Sequence, residues 1–205
     1  NDKAIFMNIF DEITEHLLYD NKPSYYLKTL AMDSVPFNTF RALIETKQSK
    51  IHHPEGNVWN HTLLVVDEAA RVKEKSKDKK VFMWAALLHD IGKPETTKVR
   101  KGKITAYNHD KVGAEKAIEF LSHLTDDDVF IKKVSSLIRW HMQILFVVND
   151  LPFKNIKQML KEVDPYEIAL LGYCDRIGRL NPDIEKEKKN IKLFIEKVST
   201  FDHFE

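Results

Sequence analysis

The sequence predicts an almost entirely helical protein, and three observations carry this prediction. Only six Gly and seven Pro residues interrupt the 205-residue chain. The segments between them are long, and their apolar residues recur at spacings of three and four, as on one face of an α-helix. Residues 97–107, in which β-forming residues flank Lys101 and Gly102, are the one stretch suited to a β-hairpin. We therefore expect an all-α bundle with a small hairpin.

The first fifty residues (1–50) are expected to form helices that pack on the core. A first helix is expected over residues 2–19, because one stripe along it is apolar. Proline fits the first turn of a helix, so Pro23 and Pro36 predict two shorter helices, at 24–32 and 37–47. The apolar stripe of the first helix consists of Ile5, Phe6, Ile9, Ile13 and Leu17.

Residues 51–180 are expected to form the central domain, which follows an irregular joint at residues 49–56. Gly92 and Pro94 are expected to end the helix that contains the apolar run Val81–Leu88. A helix that is apolar on all sides belongs at the centre of a core. The helices of this domain are expected at residues 58–75, 79–91, 110–124, 127–143, 153–163 and 165–179.

The last segment, residues 181–205, is expected to form an amphipathic helix at 182–199. Asn181 offers a capping side chain, Pro182 suits a first helical turn, and Asp183 suits the positive end of the helix dipole.

Composition excludes several classes of protein. The 32 basic and 31 acidic residues nearly cancel, so we expect neither a protein that coats nucleic acid nor stable DNA binding. The run Val81–Leu88 is far shorter than the ~20 residues of a membrane-spanning helix, and we expect a cytoplasmic protein that does not contact membranes. One cysteine, Cys174, excludes an intrachain disulfide and every thiolate-rich metal motif. Histidines and carboxylates must therefore bind any metal.

His89 and Asp90 follow directly on the apolar helix. Burying an imidazole beside a carboxylate costs several kcal/mol without compensation, and the negative end of a helix dipole disfavours an additional anion. A bound cation would relieve both problems. The alternative is a hydrogen bond between His89 and Asp90 that only caps the core.

Three further polar residues share faces with apolar neighbours on other helices: His61, His141 and Asp175. Each alone fits a core polar group whose hydrogen bonds are satisfied. A shared metal site explains all of these inward-facing residues together with His89 and Asp90.

The order His61, His89-Asp90 and Asp175 resembles the H…HD…D signature of the HD-domain metal-dependent phosphohydrolase superfamily, over about residues 50–180. Residues 89–94 (HDIGKP) are similar to the HD-I-G-K form, and residues 174–179 (CDRIGR) resemble the final aspartate motif. Residues 53–62 (HPEGNVWNHT) resemble the HD domain attached to bacterial CCA-adding tRNA nucleotidyltransferases. The motif of the nucleotidyltransferase head is missing, because no Gly-Ser pair precedes an Asp-x-Asp.

The resemblance implies an all-helical HD domain that binds one or two divalent transition metal ions. It implies a first ion held by His61, His89, Asp90 and Asp175. In relatives with an H…HD…H…H…D pattern a second ion is bound, here by His109 and His141 with Asp90 shared. The alternative for His109 is an exposed loop histidine. Nitrogen and oxygen donors without sulfur suit Mn, Fe, Co, Ni or Zn.

A phosphohydrolase also needs cations that hold the substrate. Lys93 is the first choice, because it follows Asp90 by three residues, and Arg176 and Arg179 beside Asp175 come second. Residues 71–80 contain six basic and two acidic side chains, and residues 93–103 contain five and one. These two runs are expected to form either a basic rim at the site or ordinary solvated faces.

The expected activity is metal-dependent hydrolysis of a phosphate ester, with Asp90 and Lys93 as catalytic residues. The likeness to the CCA enzymes favours an RNA-terminal phosphate or a 2′,3′-cyclic nucleotide. The alternatives are a nucleotidase, a dinucleoside polyphosphate hydrolase, or a helical RNA-binding or regulatory module without turnover. The complete ligand set argues against the last of these. No role is expected for the remaining histidines, although His53 lies close to the first metal motif; they are His16, His52, His53, His123 and His203.

Overall fold

The computed structural model describes the backbone of residues 2–203 and the side chains of residues 9–201. The expected roles of Ile5, Phe6 and His203 therefore lie outside the described side chains. In chain order the helices are α1 (Asp2–Tyr19), α2 (Ser24–Leu27), α3 (Asn38–Glu45), α4 (Val58–Val72), α5 (Lys79–Leu88), α6 (Lys93–Thr96), α7 (His109–Ser122), α8 (Asp128–Trp140), α9 (Gln143–Val148), α10 (Ile156–Glu162), α11 (Pro165–Ile177) and α12 (Ile184–His203).

The fold is helical apart from a two-stranded antiparallel hairpin of β1 (Lys98–Arg100) and β2 (Lys103–Thr105), as far as residues 2–203 show. The turn residues Lys101 and Gly102 both have positive φ, as the hairpin turns that match strand twist require. The predicted all-α fold with a small hairpin is confirmed. None of the described helices combines the length and apolar composition needed to cross a lipid bilayer.

Helix α5 forms the centre of the molecule. Every residue from Val81 to Leu88 is buried, and α1, α4, α8 and α11 all pack against this helix. Asp78 caps its first turn by accepting a hydrogen bond from the Val81 amide. The helix therefore fixes the direction in which its carboxyl end delivers His89 and Asp90.

The end of α5 differs from the prediction. The helix stops at Leu88, because the amides of Ile91 and Lys93 bond to carbonyls three residues earlier and form tight turns. Pro94 lies in the first turn of the short helix α6 and does not terminate α5. Gly92 is required for packing: a Cβ there would overlap the carbonyl of His109 and lie 2.5 Å from the amide nitrogen of Gly113. This close approach brings the start of α7 against Asp90.

Helix α1 completes the core from the amino-terminal side. Phe10, Ile13 and Leu17 are buried in the same hydrophobic cluster as α5. The ring of Phe10 stacks on Trp84 at 5.0 Å between centroids, and the Trp84 indole donates to the Thr14 hydroxyl.

The carboxyl-terminal helix α12 packs on α9 and α11. The division of the chain at residues 50 and 180 stays a prediction.

Other element boundaries shift from those predicted. Helix α2 ends at Leu27, short of residue 32. The helix expected at 127–143 ends at Trp140 as α8, where the His141 amide bonds to the Ile138 carbonyl in a tight last turn, and α9 begins at Gln143. Helix α12 begins at Ile184, with Asp183 as the capping residue that accepts a bond from the Lys186 amide.

Candidate metal centre

Six side chains from five elements meet at one point where α5 ends. Each residue is less than a tenth exposed. They form two groups, and within each group the potential ligand atoms all lie within 4.8 Å of one another. These are the six ligands that the sequence predicts: His61, His89, Asp90 and Asp175 in the first group, and Asp90, His109 and His141 in the second.

The contact between α4 and α11 brings together His61 and Asp175, the two predicted ligands that lie furthest apart in the sequence. Gly178, just after α11, lies so close to Val65 of α4 that a Cβ would come within 2.8 Å of its backbone nitrogen. As a result, Oδ1 of Asp175 lies 2.8 Å from Nε2 of His61. Nδ1 of His61 donates to the Gly178 carbonyl at 2.9 Å, which fixes the ring orientation.

Asp90 connects the two groups. Its Oδ2 atom faces the first group, at 3.1 Å from Nε2 of His89 and 3.6 Å from Nε2 of His61. Its Oδ1 atom faces the second group, at 3.4 Å from Nε2 of His109 and 3.7 Å from Nε2 of His141. One carboxylate is therefore shared between the groups.

The histidine tautomers leave lone pairs directed at this carboxylate. The Nδ1 atoms of His89, His109 and His141 each lie within 2.8 Å of the carbonyl three residues earlier, and a carbonyl only accepts. In the neutral rings Nδ1 carries the hydrogen and Nε2 offers a lone pair. All three Nε2 atoms are buried without a hydrogen-bond partner among the described residues. Lone pairs and carboxylate oxygens facing one another in a buried space fit a bound cation.

The electrostatics of the centre favour positive charge. Burial acts to lower the pKa of His89, but the charges of Asp90 and Asp175 outweigh it and raise this pKa to about 10. Burial would raise the pKa of Asp90, yet the charges of His89 and Lys93 hold it well below its usual range. Burial lowers the pKa of His109 to about 4, so that this ring is neutral. The carboxylates thus stabilise a second proton on Nε2 of His89, and a metal ion bound to this atom would take the place of that proton.

Lys93 lies beside Asp90, as the sequence suggested. Its ammonium is 3.2 Å from Oδ2 of Asp90 and donates to Oε1 of Gln48 at 2.6 Å. Gln48 is buried, and its Nε2 amide has no hydrogen-bond partner within the described part of the chain. No sequence signal indicated Gln48, because it is a single polar residue in an irregular joint.

Arg176 and Arg179 both line the cavity at the centre, but the protein already engages them. Arg176 pairs with Glu187, with its Nε atom 3.2 Å from the carboxylate. Arg179 donates to the carbonyl of His52 at 3.0 Å and lies 3.5 Å from that of Asp175. A role of either arginine in substrate binding stays a prediction.

Of the two alternatives for the basic runs, the structure favours solvated faces over a basic rim. Residues 71–80 lie at the start of α5, about 15 Å from its other end, and do not line the cavity. In this run Lys77 pairs with Asp164, and Lys79 pairs with Glu74. Of the basic residues in 93–103, Lys93 alone lines the cavity. The six other cations that line it come from outside the two runs: Lys47, Lys111, Arg139, Lys154, Arg176 and Arg179.

Glu55 is a further residue that the sequence analysis did not identify. Its side chain is 3% exposed, and Oε1 lies 3.2 Å from Nδ1 of His61 and 2.9 Å from Nδ1 of His53. Burial would raise the pKa of Glu55, but the side chains of His53 and His61 lower it below its usual range. Burial lowers the pKa of His53 to about 4, so a neutral ring donates to the carboxylate. Glu55 thus contacts His61 at the ring nitrogen opposite the one that faces Asp175. The presence of an acidic residue shortly before His61 in the sequence is the signal that could have indicated this contact.

Four residues of the centre line a cavity of about 870 Å³: Asp90, His109, His141 and Asp175. Tyr107, Phe146 and Phe153 line the same cavity. This volume lies in the range of small-molecule sites.

Comparisons with known proteins agree with this geometry. The HD domain family matches residues 58–163. A Multifunctional CCA protein of Actinobacillus pleuropneumoniae is 37% identical over 81 residues, which are 38% of this chain and 20% of the relative. The A-adding tRNA nucleotidyltransferase of Deinococcus radiodurans is 30% identical over 104 residues, or 50% and 24% of the two chains. A Multifunctional CCA protein of Neisseria meningitidis is 26% identical over 189 residues, or 88% and 44%.

The chain spans less than half of the length of each of these relatives. The resemblance that the motifs indicate is confirmed, because the family match covers about half of the chain and includes His61, His89-Asp90, His109 and His141. This chain therefore belongs to the HD domain family.

Proposed function

We propose that the protein is a metal-dependent phosphohydrolase. One observation carries the proposal: the Nε2 atoms of three buried histidines, His89, His109 and His141, point without a hydrogen-bond partner among residues 9–201 toward the carboxylate of Asp90. Membership of the HD domain family supports the same chemistry.

The proposed ligands of a first ion are His61, His89, Asp90 and Asp175, and those of a second are His109, His141 and Asp90. Imidazole nitrogens and carboxylate oxygens suit Mn, Fe, Co, Ni or Zn. Such ions, when bound, polarise a phosphoryl oxygen and lower the pKa of a water molecule that they bind.

Lys93 and Gln48 are proposed to hold the phosphate. The Lys93 ammonium and the unpaired Gln48 amide are both donors, both residues line the cavity, and Lys93 lies beside Asp90. Donors fixed in place before the reaction stabilise charge that develops on equatorial phosphoryl oxygens. The carboxylate of Asp90 is proposed to orient the attacking water, because its lowered pKa makes it a weak base.

The proposed substrate is an RNA-terminal phosphate or a 2′,3′-cyclic nucleotide. The names of the relatives support a substrate at an RNA end, since one is an A-adding tRNA nucleotidyltransferase. A nucleotidase or a dinucleoside polyphosphate hydrolase is the alternative, because a cavity of about 870 Å³ also accommodates a small nucleotide.

The proposal is tested with protein purified without chelators and assayed with 2′,3′-cyclic AMP, AMP and diadenosine tetraphosphate. We expect phosphate release or ring opening in the wild type and its loss in Asp90→Asn. Asp67→Asn is the matched control, because Asp67 accepts hydrogen bonds from Ser24 outside the cavity. Wild-type protein that carries its metal and hydrolyses none of the three would overturn the proposal in favour of a binding module.

A further inference from the structure

Three aromatic side chains form an exposed patch in the cavity, here called the aromatic shelf: Tyr107, Phe146 and Phe153. The ring centroids of Phe146 and Phe153 are 5.4 Å apart, and those of Tyr107 and Phe153 are 6.4 Å apart. Tyr107 and Phe153 are each 55% exposed. The three rings therefore offer adjoining apolar surface to a ligand in the cavity.

The shelf is held in place by the residues around it. Gln143 is 1% exposed; its Oε1 atom accepts from the Asn155 amide at 2.9 Å, and its Nε2 atom donates to the Phe153 carbonyl. These bonds fix the loop that carries Phe153. The guanidinium of Arg100 lies 5.5 Å from the centre of the Tyr107 ring. Because both polar atoms of the buried Gln143 side chain bond to the backbone of this exposed loop, Phe153 is held in a fixed position.

The shelf and the metal centre belong to one cavity. Tyr107 precedes His109 by two residues, and α9, which carries Phe146, directly follows His141. The cavity therefore combines a buried His/Asp centre, lysine and arginine side chains, and aromatic rings. A ligand that satisfies all three has an anionic phosphate and a flat ring.

We propose that the aromatic shelf binds the base of a nucleotide whose phosphate lies at the metal centre. This inference rests on the proposed function and adds the residues that bind the base. Bases stack on aromatic side chains without needing a particular hydrogen-bond pattern, so the shelf selects nucleotides over base-free phosphates with little preference among bases. Loss of such stacking weakens binding by about 5- to 150-fold per base.

The first arm of the test compares two substrates that differ in the base. They are 2′,3′-cyclic AMP and methyl riboside 2,3-cyclic phosphate, in which a methyl group replaces the base. In Phe153→Leu and Tyr107→Leu we expect the KM for cyclic AMP to rise about 5-fold or more. The KM for the methyl riboside should stay unchanged. Tyr166→Leu is the matched control, because Tyr166 is 63% exposed and does not line the cavity.

The second arm does not depend on turnover. Saturation-transfer NMR detects adenosine bound to the metal-loaded wild type, and we expect its base proton signals to weaken in Phe153→Leu and to persist in Tyr166→Leu. Adenosine binding at the shelf without hydrolysis of any phosphate would overturn the proposed function and leave the base site standing. Hydrolysis in which both substrates respond equally to Phe153→Leu, with adenosine binding unchanged, would overturn the base site alone.

Discussion

The Nε2 atom of His109 lies 3.4 Å from Oδ1 of Asp90, whereas the other oxygen of this carboxylate faces His61 and His89. The arrangement depends on Gly92, since a Cβ at that position would overlap the His109 carbonyl. Asp90 therefore faces both groups of residues, and the number of ions bound is a measurable property of the chain.

The second group of ligands should be separable from the first. In His109→Ala and His141→Ala we expect the metal-to-protein ratio to fall from about two to about one, because the first group keeps its own ligands. His123→Ala is the control, since His123 is exposed. Elemental analysis of the purified variants measures the ratio. A ratio of one in fully loaded wild-type protein would refute the second ion and spare the first.

Lys93 should affect turnover more than metal binding. Its ammonium lies beside a carboxylate oxygen and is expected to contact a phosphate, so Lys93→Ala should keep its metal and fold and lose roughly 10²-fold in rate. Lys73→Ala should change little, because Lys73 bonds to the carbonyl of Ala70 outside the cavity. Steady-state kinetics with the best substrate measures both. Equal rates for Lys93→Ala and the wild type would show that the phosphate lies elsewhere.

Glu55 should affect metal affinity through His61. A carboxylate that orients a metal-binding imidazole typically strengthens binding by about 10- to 100-fold. We therefore expect Glu55→Gln to retain the fold and release metal to a competing chelator at correspondingly lower concentration. Glu167→Gln is the control, because Glu167 accepts hydrogen bonds from Ser76 and the Lys77 amide away from the centre. Identical chelator titrations for Glu55→Gln and the wild type would remove this role.

The amino-terminal helix should be required for stability. Phe10, Ile13 and Leu17 are buried, and burying each such side chain contributes about 1.5–3 kcal/mol. Removal of residues 1–20 should therefore lower Tm by about 10 °C or more and reduce solubility. Differential scanning calorimetry measures the shift. An unchanged Tm together with full activity would show that this segment is dispensable.

The buried polar residues of the centre could be predicted from the sequence because helical periodicity decides which side chains face inward. His61, His141 and Asp175 share faces with apolar residues, and His89 and Asp90 follow an all-apolar helix. The break between α8 and α9 could not be predicted, because no Gly or Pro marks it in the sequence.

Functional residues in loops are harder to predict from the sequence than those in helices. Gln48 and Phe153 lie in irregular segments, where spacing does not show which way a side chain points. The charge run at residues 71–80 left two alternatives open for a related reason: it is near the HD pair in sequence, but the length of α5 separates the two. Nearness in sequence fixes position only when the intervening element is short.

The most direct test is the metal content of wild-type and His89→Ala protein, expressed with transition metals and purified without chelators. Plasma mass spectrometry of both samples counts ions per chain, and circular dichroism checks that the variant is folded. The account predicts one to two transition metal ions per wild-type chain and a strong loss in folded His89→Ala. Equal metal content in the two proteins, or none in the wild type, would contradict it.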